Sequence, residues 1–310
     1  MHLMIPFASV MSDSGLHTLR DLTLPNLSKL FARLTPTRRT GTDEYTLNTP
    51  HERALAEAFG WSGDDGCLPW AAHAAAADGV DTGTAAWGQL TPVHWHVGAD
   101  HVSLADPHAL FLSAQASHTL YEAVKPLFES EGWSLAWGSP GRWFAAHDSL
   151  DNLPSASLDR VVGRNIDLWM PTHPQARLLR RLQNEVQMLL YQHSLNDERV
   201  GLGALPVNSF WLSGCGRAQP VPEDRDRVVD HRLRQPALAG DWAGWAEAWR
   251  ALDAGPLAEA AERARQDQPV TLTLSGERFA QRLELQPQPL WTRMRRQFSA
   301  PAPYPLLAAL

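Results

Sequence analysis

The chain has 310 residues, 44% hydrophobic and 20% charged, with a net charge of −7. That length suits one large domain or two and a substantial core, and the composition excludes wholesale disorder. The acidic balance argues against a nucleic-acid partner, and no run of 18 apolar residues exists to span a membrane.

In chain order, His2–Ala8 reads as a first strand running into a loop over Ser9–Gly15. Pro25 opens a helix with Leu27, Leu30, Phe31 and Leu34 on one face. A polar loop covers Thr35–Asn48. Thr49 then caps a helix with Pro50 at its first position and Glu52 three residues on, a capping box; the helix runs to Phe59 and Gly60 ends it. Pro69–Asp78 is a short alanine-rich helix stopped by Gly79.

Pro92–Val97 and Val102–Leu104 read as strands, Ser113–Glu129 as a helix, and Trp133–Trp137 with Arg142–Ala145 as a hairpin. This β-β-α-β-β block forms a small α/β module. Pro174–His193 is the longest helix. Val207–Leu212 is a strand that ends in Ser213-Gly214-Cys215-Gly216. A polar loop over Arg217–Gln235 precedes a helix carrying Trp242, Trp245 and Trp249 on one face, which is either core or an interface. Pro256–Gln266 is a helix, Val270–Ser275 a strand meeting Gly276-Glu277-Arg278, and Pro287–Phe298 a last helix before a frayed tail. No internal repeat is present. The alternation of strands and helices predicts an α/β fold.

Two residue types are in surplus, with 13 Trp and 13 His. They fit either aromatic packing or a metal and acid–base site. His94 and His96 share one face of a strand and, with His101, form a weak metal candidate beside a packing role. Ser213–Gly216 is either a tight turn or a backbone cradle for phosphate. Cys215 is a distant candidate nucleophile. Only Cys67 and Cys215 are cysteines, too few for a disulfide scaffold. Met1–Val10 lacks a basic region and is interrupted by Pro6, so no signal peptide is read and a cytoplasmic location is expected. In α/β sheets ligands gather at the carboxyl ends of strands. Those ends are Ala8–Gly15, Ser213–Gly216 and Ser275–Arg278, with the helix start at Thr49–Glu52 suited to an anion.

Several segments, taken in order, resemble one family. His193-Ser194-Leu195-Asn196-Asp197-Glu198-Arg199, then Gly203–Asn208, then Leu212–Gly216, is similar to a stretch of the archaeal-type cofactor-independent phosphoglycerate mutases. The family pattern there is H-P-V-N-x-x-R, G-x-x-x-A-N, a strand and R-G-x-G. Leu24-Pro25-Asn26-Leu27 resembles a signature of the wider alkaline phosphatase superfamily, and Thr49–Trp61 resembles its nucleophile helix. Gln183–Leu190 and Asn208–Leu212 are similar to the proteobacterial RpfE-type regulatory group, often labelled phosphoglycerate mutase. The resemblance implies an alkaline-phosphatase-like mixed sheet flanked by helices, with an inserted module. The implied boundaries are 1–86 and 174–310 for the two parts of the core and 87–173 for the insert.

Active members hold two divalent metals and attack phosphate with a Ser or Thr. Here the Asp-Gly after the first strand is Phe7-Ala8, and the nucleophile's place falls on His51, or on Thr49 after a register shift. The late Asp-His is Gly276-Glu277, and the Arg of R-G-x-G is Ser213. Losing most of a ligand set abolishes a metal site. The resemblance therefore implies a kept fold and lost mutase chemistry. The expected protein is non-catalytic, with a binding or regulatory role and no metal or cofactor. Its pocket is lined by His51, Glu52, Asn208, Trp211, Ser213, Gly214, Gly216, Glu277 and Arg278, and takes a small anionic ligand or a protein partner. One alternative is an active Mn- or Zn-dependent phosphatase or mutase with substituted donors from Asp13, Glu52, Asp230, His231 and Glu277. Another is an interaction module covered by a partner along the Trp stripe.

Overall fold

A computed structural model describes residues 1–222, 226–286 and 301–310. In chain order it contains β1 (His2–Ile5), α1 (Asp13–Asp21), α2 (Pro25–Arg33), β2 (Leu34–Gly41), α3 (Pro50–Phe59) and α4 (Trp70–Ala77). There follow β3 (Ala86–Val93), β4 (Trp95–Val97), β5 (Val102–Leu104), α5 (Ala114–Glu129), β6 (Ser134–Ser139), β7 (Arg142–Ala146) and α6 (Leu158–Val161). Next come α7 (Arg177–Tyr191), α8 (Ser194–Gly201), β8 (Ser209–Arg217), β9 (Arg227–Val229), α9 (Arg234–Ala239), α10 (Trp242–Ala254) and α11 (Pro256–Arg265). The order closes with β10 (Thr271–Ser275), β11 (Phe279–Leu285) and α12 (Tyr304–Leu307). The helix expected over Pro287–Phe298 lies outside the described residues. No described helix is long and apolar enough to cross a membrane.

The chain forms two compact units. Unit 1 is Met1–Tyr45, Thr49–Ala58 and Pro222–Leu310; unit 2 is Thr46–Asn48 and Phe59–Val221. The structure thus divides the chain differently from the boundaries read in the sequence. Residues 174–221 join the middle block, because β8 is an edge strand of its sheet and pairs with β3 from Ala86↔Arg217 to Val93↔Ser209. Strand pairing over that length outweighs sequence order.

Unit 1 is built on a mixed five-stranded sheet ordered β2-β11-β10-β1-β9. β10, β1 and the edge strand β9 are parallel, and β11 and β2 complete the sheet antiparallel. Alternate residues take opposite faces. Leu3, Ile5, Leu272 and Leu274 therefore face a core shared with α2, α10 and α11. That core contains Trp245 and Trp249, both fully buried. Trp245 and Trp249 are thus packing within unit 1, with Trp242 half-buried against the same core. The other face is covered by α3, whose Glu57 carboxylate accepts from Thr40 Oγ1 on β2 at 3.0 Å and whose Ala58 carbonyl accepts from Arg227 on β9.

The strand β2 stands where a polar loop was expected. It is an edge strand with the run TPTRRT, half of it exposed, so no alternation marks it; Pro36 is tolerated because an edge needs fewer donors. The tail is also docked rather than frayed. Leu307 and Leu310 are buried, and the Arg278 and Phe279 amides donate to the Leu310 carbonyl.

Unit 2 holds an antiparallel sheet ordered β6-β7-β3-β8, with residues of α5 and α7 in one apolar cluster and α4 in another. The motif-bearing stretch around α8 is a brace. Asn196 donates to the Leu190 and Val207 carbonyls and accepts from the Val207 amide, and Arg199 donates to the Leu205 and Leu110 carbonyls. Burial holds the Arg199 guanidinium below its ordinary pKa.

An aromatic cluster of Phe59, Trp61, Trp70 and His73 has ring centroids 4.7 to 6.1 Å apart. Burial lowers the His73 pKa from its ordinary 6.5. Below that value the unfolded chain binds the proton first, so stability is intact above 6.5 and falls as pH drops through the folded-state pKa. Urea midpoints measured at mildly acidic and neutral pH are expected to converge in His73→Leu relative to the parent. An unchanged pH dependence would show that His73 does not titrate on unfolding.

Candidate functional site

The parallel strands of unit 1 end side by side, the place where α/β sheets collect ligands. After β1 the chain turns through Phe7, a non-glycine residue in the left-handed region with φ 58°. Such a conformation is held only where its surroundings over-determine it. Here the Phe7 carbonyl accepts from Trp245 Nε1 at 3.1 Å, and the next amide, of Ala8, donates to the Ser275 carbonyl at 2.7 Å. The second contact ties the end of β1 to the end of β10.

The first turn of α3 meets this edge. Its capping box forms as the sequence predicts: Glu52 Oε2 accepts from the Thr49 amide at 3.1 Å and Thr49 Oγ1 accepts from the Glu52 amide at 3.4 Å. Thr49 Oγ1 also lies 3.0 Å from His51 Nδ1, which orients the ring. His51 is buried, with its ring 5.8 Å from Phe7 and 6.4 Å, edge-on, from His231 at the end of β9. Two imidazoles and a helix N-terminus thus gather where three strands end.

The carboxylates expected there are engaged. Asp230 receives Arg232 through Nε at 3.0 Å and Nη2 at 2.7 Å. Glu277 Oε1 accepts from the Met11 amide at 2.8 Å. Asp13 is exposed in the first turn of α1. Arg278 is half-buried, its Nε without a partner. Among the described residues, no three His, Cys, Asp or Glu side chains come together as a metal-holding group. The residues present do not fit a pair of divalent cations.

The other expected pocket residues belong to unit 2 and have structural duties. Trp211 is buried and its Nε1 donates to the Ala156 carbonyl at 3.0 Å, so it is core. Asn208 clasps Trp95, accepting from its amide at 2.7 Å and donating to its carbonyl at 2.9 Å. Ser213–Gly216 is part of β8 itself rather than a turn after a strand. Gly214, at φ +67°, and Gly216 let α4 approach, because a Cβ on Gly214 would sit 2.7 Å from the Ala71 amide nitrogen and one on Gly216 would sit 3.2 Å from Pro69. Ser213 pairs with Gln89 on β3. Cys215 is wholly buried and its pKa is pushed up to about 12 by burial, which disfavours the thiolate that a nucleophile needs. His94 and His96 lie 6.5 Å apart, with His94 Nδ1 bonded to the Pro206 carbonyl and His96 exposed. Ser275, read only as a strand end, is the residue that the sequence left unsingled; its hydroxyl is buried and has no hydrogen-bond partner.

No family model matches the chain. Over 62 residues, 20% of its length, the chain is 32% identical to the 2,3-bisphosphoglycerate-independent phosphoglycerate mutase of Methanothrix thermoacetophila. That match spans 16% of the relative's length. Among solved structures, the chain is similar to the cofactor-independent phosphoglycerate mutase from Thermoplasma acidophilum, with a TM-score of 0.39, 14% identity, and 91% and 89% of the two chains covered. A structure of a protein from Pyrococcus horikoshii is similar with a TM-score of 0.45 and 12% identity, over 92% of this chain and 86% of the other. In sequence, the chain's resemblance to a cofactor-independent phosphoglycerate mutase is thus confined to a short stretch.

Proposed function

We propose that this chain is a phosphoglycerate-mutase-like protein of the RpfE-type regulatory kind, which binds a small anionic ligand at the strand ends of unit 1 and performs no two-metal phosphoryl transfer. The observation that carries this reading is the state of the donors. In-line phosphoryl transfer between two cations needs several anionic oxygens free to bind them. Asp230 is instead neutralised by Arg232, Glu277 is turned to the Met11 amide, and the end of β1 carries Phe7. What remains at the edge is the N-terminus of α3, with the Glu52 carboxylate turned onto its own Thr49 amide, and the imidazoles of His51 and His231. Such a set favours an anion over a metal.

The test is metal content and turnover together. Protein prepared with added Mn or Zn and then desalted is expected to retain less than one divalent ion per chain. It is also expected to show no chelator-sensitive conversion of phosphoglycerate or hydrolysis of an aryl phosphate. Two tightly held ions with turnover abolished by EDTA would establish the alternative, an active metal-dependent enzyme with substituted ligands.

A further inference from the structure

The surface of unit 2 carries a group of large apolar side chains around α8 that face solvent. Phe111 is 88% exposed, Leu202 86% and Val200 59%, and Leu205 is exposed beside them. Single exposed apolar residues are ordinary, but a grouped patch marks an interaction surface. These four are grouped around one buried guanidinium. Arg199 donates to the carbonyls of Leu110 and Leu205, which brings Phe111 and Leu205 to it, and Val200 and Leu202 follow it at the end of α8. We propose that this face docks a protein partner through a segment that combines apolar side chains with Lys or Arg, in the manner of a basic amphipathic helix.

The two most exposed anchors are held out by the backbone. α8 is followed by Gly203 at φ +74°, whose amide donates to the Val200 carbonyl at 3.0 Å, while the Ala204 amide donates to the Arg199 carbonyl at 2.9 Å. This pair of bonds closes the helix in a Schellman motif and fixes Leu202 at its end. Phe111 has φ 44°, in the left-handed region that disfavours any residue with a Cβ. Its neighbours are anchored, Leu110 buried and Leu112 packed against the core, so the strained residue stands between two fixed ones. The strained conformation brings the ring no packing within the fold, because it places the ring in solvent. A strained residue of that kind points to function rather than to folding.

Charge selects the partner. Besides His108, the ionisable side chains over residues 106–113 and 194–208 are Asp106, Asp197, Glu198 and Arg199. Arg199 is buried and engaged by two carbonyls. Asp197 and Glu198 are exposed on α8, and neither forms an ion pair among the described residues. The rim of the patch is therefore acidic. A second copy of this face would set like charge against like, and an anionic lipid surface would be repelled, whereas Lys or Arg beside apolar anchors is attracted.

The test is fluorescence anisotropy of a labelled Leu/Lys amphipathic helical peptide titrated with the full chain. The parent is expected to bind it saturably, and a Leu/Glu peptide of the same pattern is not. Phe111→Gly is expected to weaken binding about tenfold, equivalent to about 1.4 kcal/mol. Its Tm should equal or exceed that of the parent, because glycine accepts the left-handed conformation and an exposed ring stabilises little. Glu198→Gln is expected to weaken binding about threefold. Glu247→Gln removes the same charge from an exposed position on α10 and should leave binding unchanged. No binding to the parent, binding unaffected by Phe111→Gly, a lowered Tm in that variant, or equal losses in the two glutamine variants would overturn the proposal. A dimer in sedimentation equilibrium that Phe111→Gly dissociates would assign the face to a second copy, and binding to phosphatidylcholine vesicles lost in the same variant would assign it to lipid; either would overturn it too. None of these results bears on the anion reading of unit 1, which metal content and turnover test.

Discussion

Gly214→Ala is expected to destabilise unit 2 by about 3 kcal/mol. Two terms add. A non-glycine residue at φ +67° costs about 1–2 kcal/mol in the left-handed region. The new Cβ would also lie 2.7 Å from the Ala71 amide nitrogen and 3.0 Å from Trp70 Cβ, so α4 must move off β8. Overpacking of this kind costs about 1–3 kcal/mol. The shift would disturb the cluster of Ala71, Ala72, Ala75 and Phe144, all fully buried. Gly60→Ala is the control. Its φ is +75°, yet nothing lies within 4 Å of the added Cβ. Only the conformational term applies there, about 1–2 kcal/mol. Urea denaturation followed by tryptophan fluorescence separates the two. Equal losses would show that α4 does not press on Gly214.

The second large effect concerns Asp253, a buried carboxylate on α10. It caps a different helix. Its oxygens accept from the Leu27 amide at 2.8 Å and the Asn26 amide at 3.1 Å, both in the first turn of α2. Asn26 Nδ2 adds a bond to the Asp253 carbonyl at 3.0 Å. The helix has no side-chain cap of its own, since Leu24 precedes Pro25. Removing the carboxylate leaves two amides without an acceptor inside unit 1 and loses its favourable charge at the helix N-terminus. Asp253→Ala is therefore expected to cost about 3 kcal/mol, the sum of a lost charge-assisted bond and the unpaired amides. Asp253→Asn keeps one acceptor oxygen and should lose about half as much. Both follow from chemical denaturation of the full chain. A loss below about 0.5 kcal/mol in Asp253→Ala, the range of ordinary surface substitutions, would show that water caps α2 equally well.

The Asp253 contact also explains why Leu24-Pro25-Asn26-Leu27 reads as a motif. Pro25 sets the first helical φ, Leu27 fills the core, and Asn26 bonds α10. The helix was legible from its period; the partner that caps it is 226 residues away in sequence and was not.

Local chemistry in the sequence settled much of the architecture. The 3.6-residue spacing of Leu27, Leu30 and Phe31, the capping box of Thr49 and Glu52, the glycine turn between β6 and β7 and the β-branched run of β10 each act within one turn or one strand. Their outcome needs no distant partner. Elements that depend on a neighbour were missed. β2 read as a polar loop and β11 was assigned no element, because each is partly exposed and only pairing with a neighbouring strand marks it. Ser213–Gly216 looked like a turn because two glycines interrupt a strand, and the helix that requires them small is more than 130 residues earlier. The same division holds for the site. The sequence alone determined that His51 stands at the start of a capped helix and that Phe7-Ala8 and Gly276-Glu277 follow the first and last strands it marks. Only the tertiary structure decided that Asp230 and Glu277 are engaged elsewhere, that Trp245 and Trp249 are core, and that Ser275 is buried without a partner at the edge where β1, β9 and β10 end. The physical reason is that a donor's availability depends on what lies around it in space. Its place in the chain carries no record of that.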